Sequence, residues 1–322
     1  MGTPDFARES LKAIYEKGHQ IVGVITNEDK PKGRGMKMMF SPVKEYAVEH
    51  QLEVYQPHKI RNNDEIIELI KKLNPDVICV VAYGKILPKE ILDIPPKGCI
   101  NVHASILPKY RGAAPIQWAV INGDEKTGIT TMFMDEGMDT GDIILAKEVN
   151  IDKDETTGEL WNRLSILGGE LLVETLENIE NGTVTRIKQS EDFSMAPMLN
   201  KSMAKINWKE MEASQIKNLV RGLNPIMGTY SYLNGKKIKF WKVDVLTQSE
   251  LLKEFPELED FVFKMKDVMP GTVLFSDSKK GLFIKANSGF ISVIDIQGEN
   301  AKRMNIKDFL RGNQINIGEI FK

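Results

Sequence analysis

Residues 99–116 read CINVHASILPKYRGAAPI. The stretch opens as an apolar strand, Cys99-Ile100-Asn101-Val102, and leaves the strand pattern at His103-Ala104-Ser105. Pro108, Gly112 and Pro115 make the remainder of the stretch irregular. Asn101 and His103 are two apart, so on a strand they project from one face. A polar pair at the carboxyl end of a buried strand is where open α/β sheets keep their chemistry.

The surrounding chain supports such a sheet. Ile21–Thr26 and Val77–Ala82 are apolar runs that read as buried strands. Pro42–His50 and Asp64–Leu73 read as helices, with Leu52–Tyr55 as a strand between them and Asn74-Pro75-Asp76 closing the second. Thr127–Met134 and Ile143–Ala146 are further strands, separated by a glycine-rich acidic loop, and Thr156-Thr157 caps a helix running to Glu180. Alternating strands and helices predict an α/β fold with a doubly wound, mostly parallel sheet. The opening GTPDFA, 2–7, reads as a turn entering a helix, and such a helix in an α/β fold should follow a strand. Only Met1 precedes it, so the expected sheet lacks its first strand.

From Thr229 onward the pattern changes to short strands, with a hairpin signal at Asn234-Gly235, and predicts a small β-barrel. The expected division is a catalytic domain over 1–188, a linker over 189–206 without clean periodicity, and a C-terminal domain over 207–322. The 322 residues suit two domains, and 42% hydrophobic content is enough for both cores. No run of 18 apolar residues offers a membrane span, and no signal pattern opens the chain. Cys79 and Cys99 lie in apolar runs and read as reduced thiols of a cytoplasmic protein, with no metal or disulfide expected from two cysteines. A monomer is the expected state.

Net charge is −2 but unevenly spread: 201–322 carries 20 Lys+Arg against 14 Asp+Glu, and 1–200 carries 23 against 31. The basic C-terminal part either meets an anion such as nucleic acid or is a lysine-rich solvated surface. Between Lys30 and Lys44 there are Lys30, Lys32, Arg34, Lys37 and Lys44 and no acid, with Met36, Met38, Met39 and Phe40 among them. Pro31, Gly33 and Gly35 predict an open, mobile loop here. It reads either as a solvated loop or as a basic, partly apolar arm for a polyanion with exposed bases. Gly33-Arg34-Gly35 is no nucleotide fingerprint, since it lacks the third glycine and follows a charged loop.

Asn101 can donate to an oxyanion, and His103 can act as acid or base near neutral pH. If strands 99–102 and 129–134 are neighbours, Asp139 on the loop after the second can face His103 and fix its tautomer. Asp135 and Asp142 compete for that role, and Asp139 could simply make the turn beside Gly137 and Gly141. Asn, His and Asp without a Ser or Cys nucleophile predict transfer between two bound substrates. A metal site from His103, Asp135, Asp139 and Asp142 is disfavoured, because the carboxylates share one short loop and no second His has ligand spacing.

The motifs GTPDFA at 2–7, KGRG at 32–35, SPVK at 41–44, VVAYGKILP at 80–88, CINVHASILPKYRGAAPI at 99–116, MDEGMDTGDI at 134–143, RGLNP at 221–225 and AKRMNIKDFLRG at 301–312 together resemble the methionyl-tRNA formyltransferase family across the whole chain. The resemblance implies a Rossmann-like catalytic domain and an oligonucleotide-binding (OB-like) C-terminal barrel that holds tRNA by its basic face. It implies 10-formyltetrahydrofolate as co-substrate, without a metal, and the α-amino group of methionyl-initiator tRNA as acceptor. Asn101, His103 and Asp139 match the family's catalytic trio. Ser105, Ile106, Leu107 and Pro108 match its folate-binding stretch, with Tyr83, Gly84, Ile86 and Leu87 walling the pterin. Lys32, Arg34 and Lys37 fall in the element that enters the tRNA acceptor end. The family pattern has an apolar strand ahead of GTPDFA, which agrees with the strand expected above. It also has a Trp-Pro pairing where this chain has NPIMG, 224–228. Two other functions are consistent with the sequence: a folate-dependent formyltransferase acting on a small amine, and a non-catalytic tRNA-binding protein left inert by the missing strand.

Overall fold

The apolar runs become short strands flanked by helices, in a computed structural model that describes residues 1–32, 37–256 and 268–322. In chain order the first part comprises α1 (Asp5–Glu16), β1 (Val24–Ile25), β2 (Lys30–Lys32), β3 (Lys37–Met39), α2 (Pro42–Glu49), β4 (Val54–Tyr55), α3 (Asp64–Leu73) and β5 (Ile78–Val80). It continues with α4 (Lys89–Leu92), β6 (Cys99–His103), α5 (Pro115–Asn122), β7 (Lys126–Phe133), β8 (Ile143–Asn150) and α6 (Thr157–Glu180). Local chemistry sets the helix ends. Ser41 Oγ accepts from Lys44 N–H (3.1 Å) with Pro42 in the first turn, and Asn63 Oδ1 accepts from Ile66 N–H (3.3 Å). Asn74, at φ 46°, ends α3 in the left-handed conformation.

Two compact units result. The first contains Met1–Ile116, Lys126–Ile151 and Glu159–Met198; the second contains Gln117–Glu125, Asp152–Gly158 and Leu199–Lys322. Residues 189–198, read from sequence as linker, therefore lie in the first unit.

The sheet of the first unit is mixed, which corrects the expectation of a mostly parallel one. β5 and β6 are parallel, as are β1 and β4, but β6–β7 and β7–β8 are antiparallel. For β7–β8 the reason is the chain path: the two are joined only by the loop over 134–142, too short for a parallel crossover. The basic segment is also not an open loop in its described part. β2 and β3 pair as an antiparallel hairpin, with Pro31 opposite Met38 on an isolated two-stranded ribbon that tolerates proline. Gly33, Arg34, Gly35 and Met36 lie outside the described residues.

Met1 and Gly2 occupy the strand position between β1 and β5. The Met1 nitrogen donates to Cys79 O (2.6 Å), Val81 N–H donates to Met1 O (2.9 Å) and Gly2 N–H donates to Ile25 O (3.0 Å). Gly2 is needed because a Cβ there would lie 2.5 Å from Ala7 Cβ and 2.7 Å from Val81 O. Alongside 20–25 and 74–79 lies a cavity of about 500 Å³, lined by Leu11, Ile14, Leu73, Leu176 and Ile179 among others. Of the expected strand Ile21–Thr26, only Val24–Ile25 pairs, because β4 has just two paired residues and the other edge faces this cavity. The buried Ser10 Oγ on its wall has no hydrogen-bond partner among the described residues.

The second unit contains α7 (Ala213–Gly222), β9 (Thr229–Leu233), β10 (Lys236–Leu246), α8 (Gln248–Glu254), β11 (Val273–Asp277), β12 (Gly281–Lys285), β13 (Phe290–Gln297), β14 (Met304–Asn305) and α9 (Ile306–Gly312). Its antiparallel sheet runs β11-β12-β13-β10-β9, with β14 on β13, over a core that includes Trp208, Phe240, Ile291 and Phe321. The C-terminal residues bond both ends of that order: Val273 N–H to Glu319 O (2.8 Å) and Phe321 N–H to Gly271 O (2.9 Å) on one side, and a reciprocal pair between Tyr232 and Lys322 (2.9 and 2.8 Å) on the other.

Two measurements test this arrangement. Four or five β-branched apolar residues fused ahead of Met1 should fill the cavity and pair with the backbone of 77–79. Burial less ordering entropy leaves a net gain on the order of 2 kcal/mol, or a Tm higher by roughly 4–8 °C; an unchanged Tm would show that the space does not accept a strand. Burial pushes the Cys79 thiol up to about 11 and the Cys99 thiol up to about 12. Both should therefore resist a thiol reagent at pH 8 in the native protein and react on unfolding.

Candidate active site

β6 presents its polar residues at the carboxyl end of the sheet, where it has β5 on one side and β7 on the other. The pairing of β6 with β7 brings in the loop over 134–142, and with it Asp139. The two strands expected to be neighbours therefore are, and it is Asp139 that faces His103. His103 Nδ1 is 3.6 Å from Asp139 Oδ2, and Asn101 Nδ2 donates to Asp139 Oδ1 (3.2 Å). The Gly112 N–H donates to Asp139 Oδ2 (2.8 Å). Of the competing carboxylates, Asp135 is used up in the turn, accepting from Gly137 N–H (3.0 Å) and Thr140 Oγ1 (2.6 Å). Asp142 is 3.9 Å from Arg186.

The hydrogen bonds fix the histidine tautomer. Nε2 of the buried His103 is 2.9 Å from Tyr110 O, which can only accept. Nε2 therefore carries the proton in the neutral ring, and the lone pair at Nδ1 faces the Asp139 carboxylate. A proton arriving at His103 goes to Nδ1 and forms an ion pair with Asp139. Asn101 spends one amide hydrogen on Asp139 and keeps a second for another acceptor.

Backbone strain gathers around these groups. Ala82 (φ 44°), Tyr110 (φ 63°) and Asp139 (φ 55°) are non-glycine residues in the left-handed region, each at a cost of about 1–2 kcal/mol. Tyr110 uses this conformation to turn its carbonyl to His103, and Asp139 to turn its carboxylate.

The eight residues of the expected folate site divide by exposure. Tyr83, Leu87, Ser105 and Leu107 are buried. Tyr83 packs with Ile25, Ile60 and Ile91, and burial pushes its phenol up to about 12. Ser105 Oγ donates to Lys109 O (2.6 Å), while Thr130 Oγ1 donates to Ser105 O (2.7 Å) and accepts from Leu107 N–H (3.1 Å), so β7 pins this segment. Gly84, Ile86, Ile106 and Pro108 remain accessible, and Ile86 is 56% exposed. Asn27 holds the loop over 83–88 by donating to Tyr83 O and to Thr3 Oγ1 (both 2.9 Å), which gives the opening GTPD motif a role at the carboxyl ends of β1 and β5. Lys32 and Lys37 end the two hairpin strands, opposite each other, and Arg34 lies outside the described residues. Met38, Met39 and Phe40 are exposed, with Lys44 Nζ 4.0 Å from the Phe40 ring centroid.

Sequence reasoning missed the Gly112 N–H, the Tyr110 carbonyl, Thr130, Arg111 and Gln189. Only Arg111-Gly112 carried a signal, as a basic residue beside glycine in the deciding stretch. In the second unit it missed a surface. Tyr230 and Tyr232 on β9 and Lys237, Lys239 and Trp241 on β10 alternate with the buried Ser231, Ile238 and Phe240. Lys237 Nζ lies 3.6 Å from the Tyr230 ring centroid, and Arg303 and Lys239 lie 5.4 and 5.3 Å from that of Trp241.

The formyl transferase family model matches residues 1–176, and that of the formyl transferase C-terminal domain matches 198–314. A methionyl-tRNA formyltransferase of Clostridioides difficile is 49% identical over 319 residues, 99% of this chain and 97% of the relative. One from Caldanaerobacter subterraneus subsp. tengcongensis is 46% identical over 323 residues, 100% and 98% of the two chains. Among solved structures, an N-formyltransferase of Helicobacter canadensis in complex with folinic acid and dTDP-3-aminofucose has a similar fold. Its TM-score is 0.62 at 19% identity, over 94% of this chain and 97% of the other. HypX from Aquifex aeolicus in complex with tetrahydrofolic acid gives a TM-score of 0.56 at 16% identity, over 84% and 47%. With both domain models matched in order and relatives nearly half identical along their full length, the chain belongs to the methionyl-tRNA formyltransferase family.

Proposed function

We propose that this protein transfers the formyl group of 10-formyltetrahydrofolate to the α-amino group of methionyl-initiator tRNA, with Asn101, His103 and Asp139 as its reacting site. The observation that carries the assignment is the Asp139 carboxylate, held at once by Asn101 and the Gly112 N–H and facing His103 Nδ1. The uncharged amine attacks the formyl carbon and a C–N bond forms. The carbonyl oxygen becomes an oxyanion, which the second Asn101 amide hydrogen is free to meet. His103 takes the amine's proton at Nδ1, because Nε2 is committed to Tyr110 O, and Asp139 balances the imidazolium. Collapse breaks the bond to the folate nitrogen, which leaves with that proton, and the ring returns to its starting tautomer.

The accessible side of the expected folate site is Gly84, Ile86, Ile106 and Pro108, on the two loops after β5 and β6. An apolar side chain as exposed as Ile86, on the loop after the strand that neighbours β6, suits the flat ring of a pterin. The buried Tyr83, Leu87, Ser105 and Leu107 then act beneath that surface as its support. We read the first unit as a Rossmann-like catalytic domain, and the parallel pairs β1–β4 and β5–β6 with helices between the strands support that reading. The second unit reads as an OB-like barrel; support comes from its C-terminal residues, which bond to both β11 and β9. The barrel's Tyr230, Tyr232, Lys237, Lys239, Trp241 and Arg303 combine positive charge with stacking rings, as single-stranded nucleic acid requires. Lys32, Arg34 and Lys37 are assigned to the tRNA acceptor end. The implied setting is cytoplasmic and the implied state monomeric.

Formylation of charged initiator tRNA tests the reaction. His103→Ala and Asn101→Ala should each lower kcat by about 10²–10³ in protein that remains folded at the assay temperature. Turnover of a small amine with none on tRNA would overturn the assigned acceptor. Full activity in His103→Ala would overturn the assigned site. Lys237→Ala with Arg303→Ala should raise KM for tRNA and leave KM for the folate alone. The slope of log affinity against log salt should become shallower by roughly one for each phosphate that the variant no longer neutralises.

A further inference from the structure

The backbone behind Asp139 is held by a side chain from the stretch without sequence pattern. Gln189 Nε2 donates to Asp139 O (2.8 Å) and to Gly141 O (2.8 Å). Its Oε1 accepts from Arg111 Nε (3.0 Å) and Nη2 (2.7 Å). A primary amide offers two N–H groups and two lone pairs, so every valence of this one is used. The Arg111 fork also fixes which way the amide faces. A flipped amide would set NH₂ against the guanidinium and oxygen against two carbonyls.

Arg111 is itself immobilised. It is buried, its guanidinium lies 4.5 Å from the Phe193 ring centroid, its N–H donates to Ser194 O (2.9 Å) and its C=O accepts from Ala196 N–H (2.7 Å). Nearby, Ile187 makes a reciprocal pair with Ile143 at the start of β8 (2.8 and 2.9 Å). Restraint passes from 193–196 to Arg111, from Arg111 to Gln189, and from Gln189 to the carbonyls flanking Thr140. Asp139 needs it, since its left-handed conformation persists only where the surroundings over-determine it. Asn101 and Gly112 restrain its carboxylate end but not its main chain.

We propose that Gln189 is a positioning residue for formyl transfer. It clamps the 139–141 backbone so that the Asp139 carboxylate faces His103 Nδ1, with Arg111 and Phe193 orienting the clamp. This rests on the reading of Asn101, His103 and Asp139 as the reacting site.

The test is steady-state tRNA formylation by Gln189→Leu, Gln189→Glu, Asp139→Asn and the Gln189→Leu/Asp139→Asn double variant, with Tm measured for each. Leu removes the four hydrogen bonds to Arg111, Asp139 and Gly141, and with them the weak one from Nε2 to Met132 Sδ (3.9 Å). Glu keeps the acceptors for Arg111 but replaces the two donors by an oxygen facing the two carbonyls, so it breaks the clamp with Arg111 still paired and serves if Leu disturbs folding. The expected result is a kcat lowered by about 10- to 100-fold in either Gln189 variant, as for a reacting group displaced by about 1 Å. KM for both substrates should stay within about twofold. In Gln189→Leu, which adds no charge, the pH profile of kcat should move in the direction seen for Asp139→Asn, and Gln189→Leu should add nothing to Asp139→Asn, because both act through one carboxylate. Additive losses, an unmoved pH profile or an effect confined to KM would overturn the inference. Full activity in both Gln189 variants beside an impaired Asp139→Asn would overturn it alone. A fully active Asp139→Asn would overturn it together with the reading of the site.

Discussion

The site depends on the placement of one carboxylate. Asp139 lies on a loop between antiparallel strands, in a backbone conformation that L-residues disfavour, and its side chain is shared between an amide, a main-chain N–H and an imidazole. The restraints come from three parts of the chain. Asn101 and His103 come from β6, Gly112 from the irregular segment after it, and Gln189 from beyond α6. Pairing of β6 with β7 is the condition for the first two, because it sets the register in which Asn101 faces Met132 and His103 faces Thr130. A one-residue slip would turn Asn101 and His103 to the opposite face and leave Asp139 without those two partners.

The irregular segment 104–116 serves the same end. Tyr110 supplies a carbonyl that fixes the histidine tautomer, Gly112 an N–H for the carboxylate, and Arg111 a fork for Gln189. Gly141 must be glycine, because a Cβ there would collide with Phe133 O. Apart from the Arg111 fork, these are main-chain and glycine functions, so they leave little trace in composition. The segment after Lys188 returns to complete this arrangement, and its role is structural at the site before it is a connection to the C-terminal sheet.

Elsewhere the chain follows simpler rules. In the second unit, alternation along β9 and β10 sends Ser231, Ile238 and Phe240 inward and the lysines and aromatic rings outward. Beside Met1 the opposite holds: backbone edges and apolar helix faces converge on a cavity of about 500 Å³, and three hydrogen bonds through Met1 and Gly2 join β1 to β5.

Most of the elements were legible in the sequence, since helices and strands declare themselves through local periodicity, caps and turn residues. Asn101 and His103 were legible as a same-face pair at a strand end, and Asp139 as one of three acids on a single loop. The family motifs reached the reaction. Direction was only partly legible: the short loop over 134–142 sets β8 against β7, but local pattern could not tell that β7 also runs against β6. Nor could the sequence choose Asp139 over Asp135 and Asp142, name Tyr110 as the tautomer-setting partner, or find Gln189, which lies 50 residues from the carbonyl it holds. Periodicity and motif report what neighbouring residues do together. A hydrogen bond between distant segments exists only after the chain has closed around it, so only the tertiary structure decided these contacts.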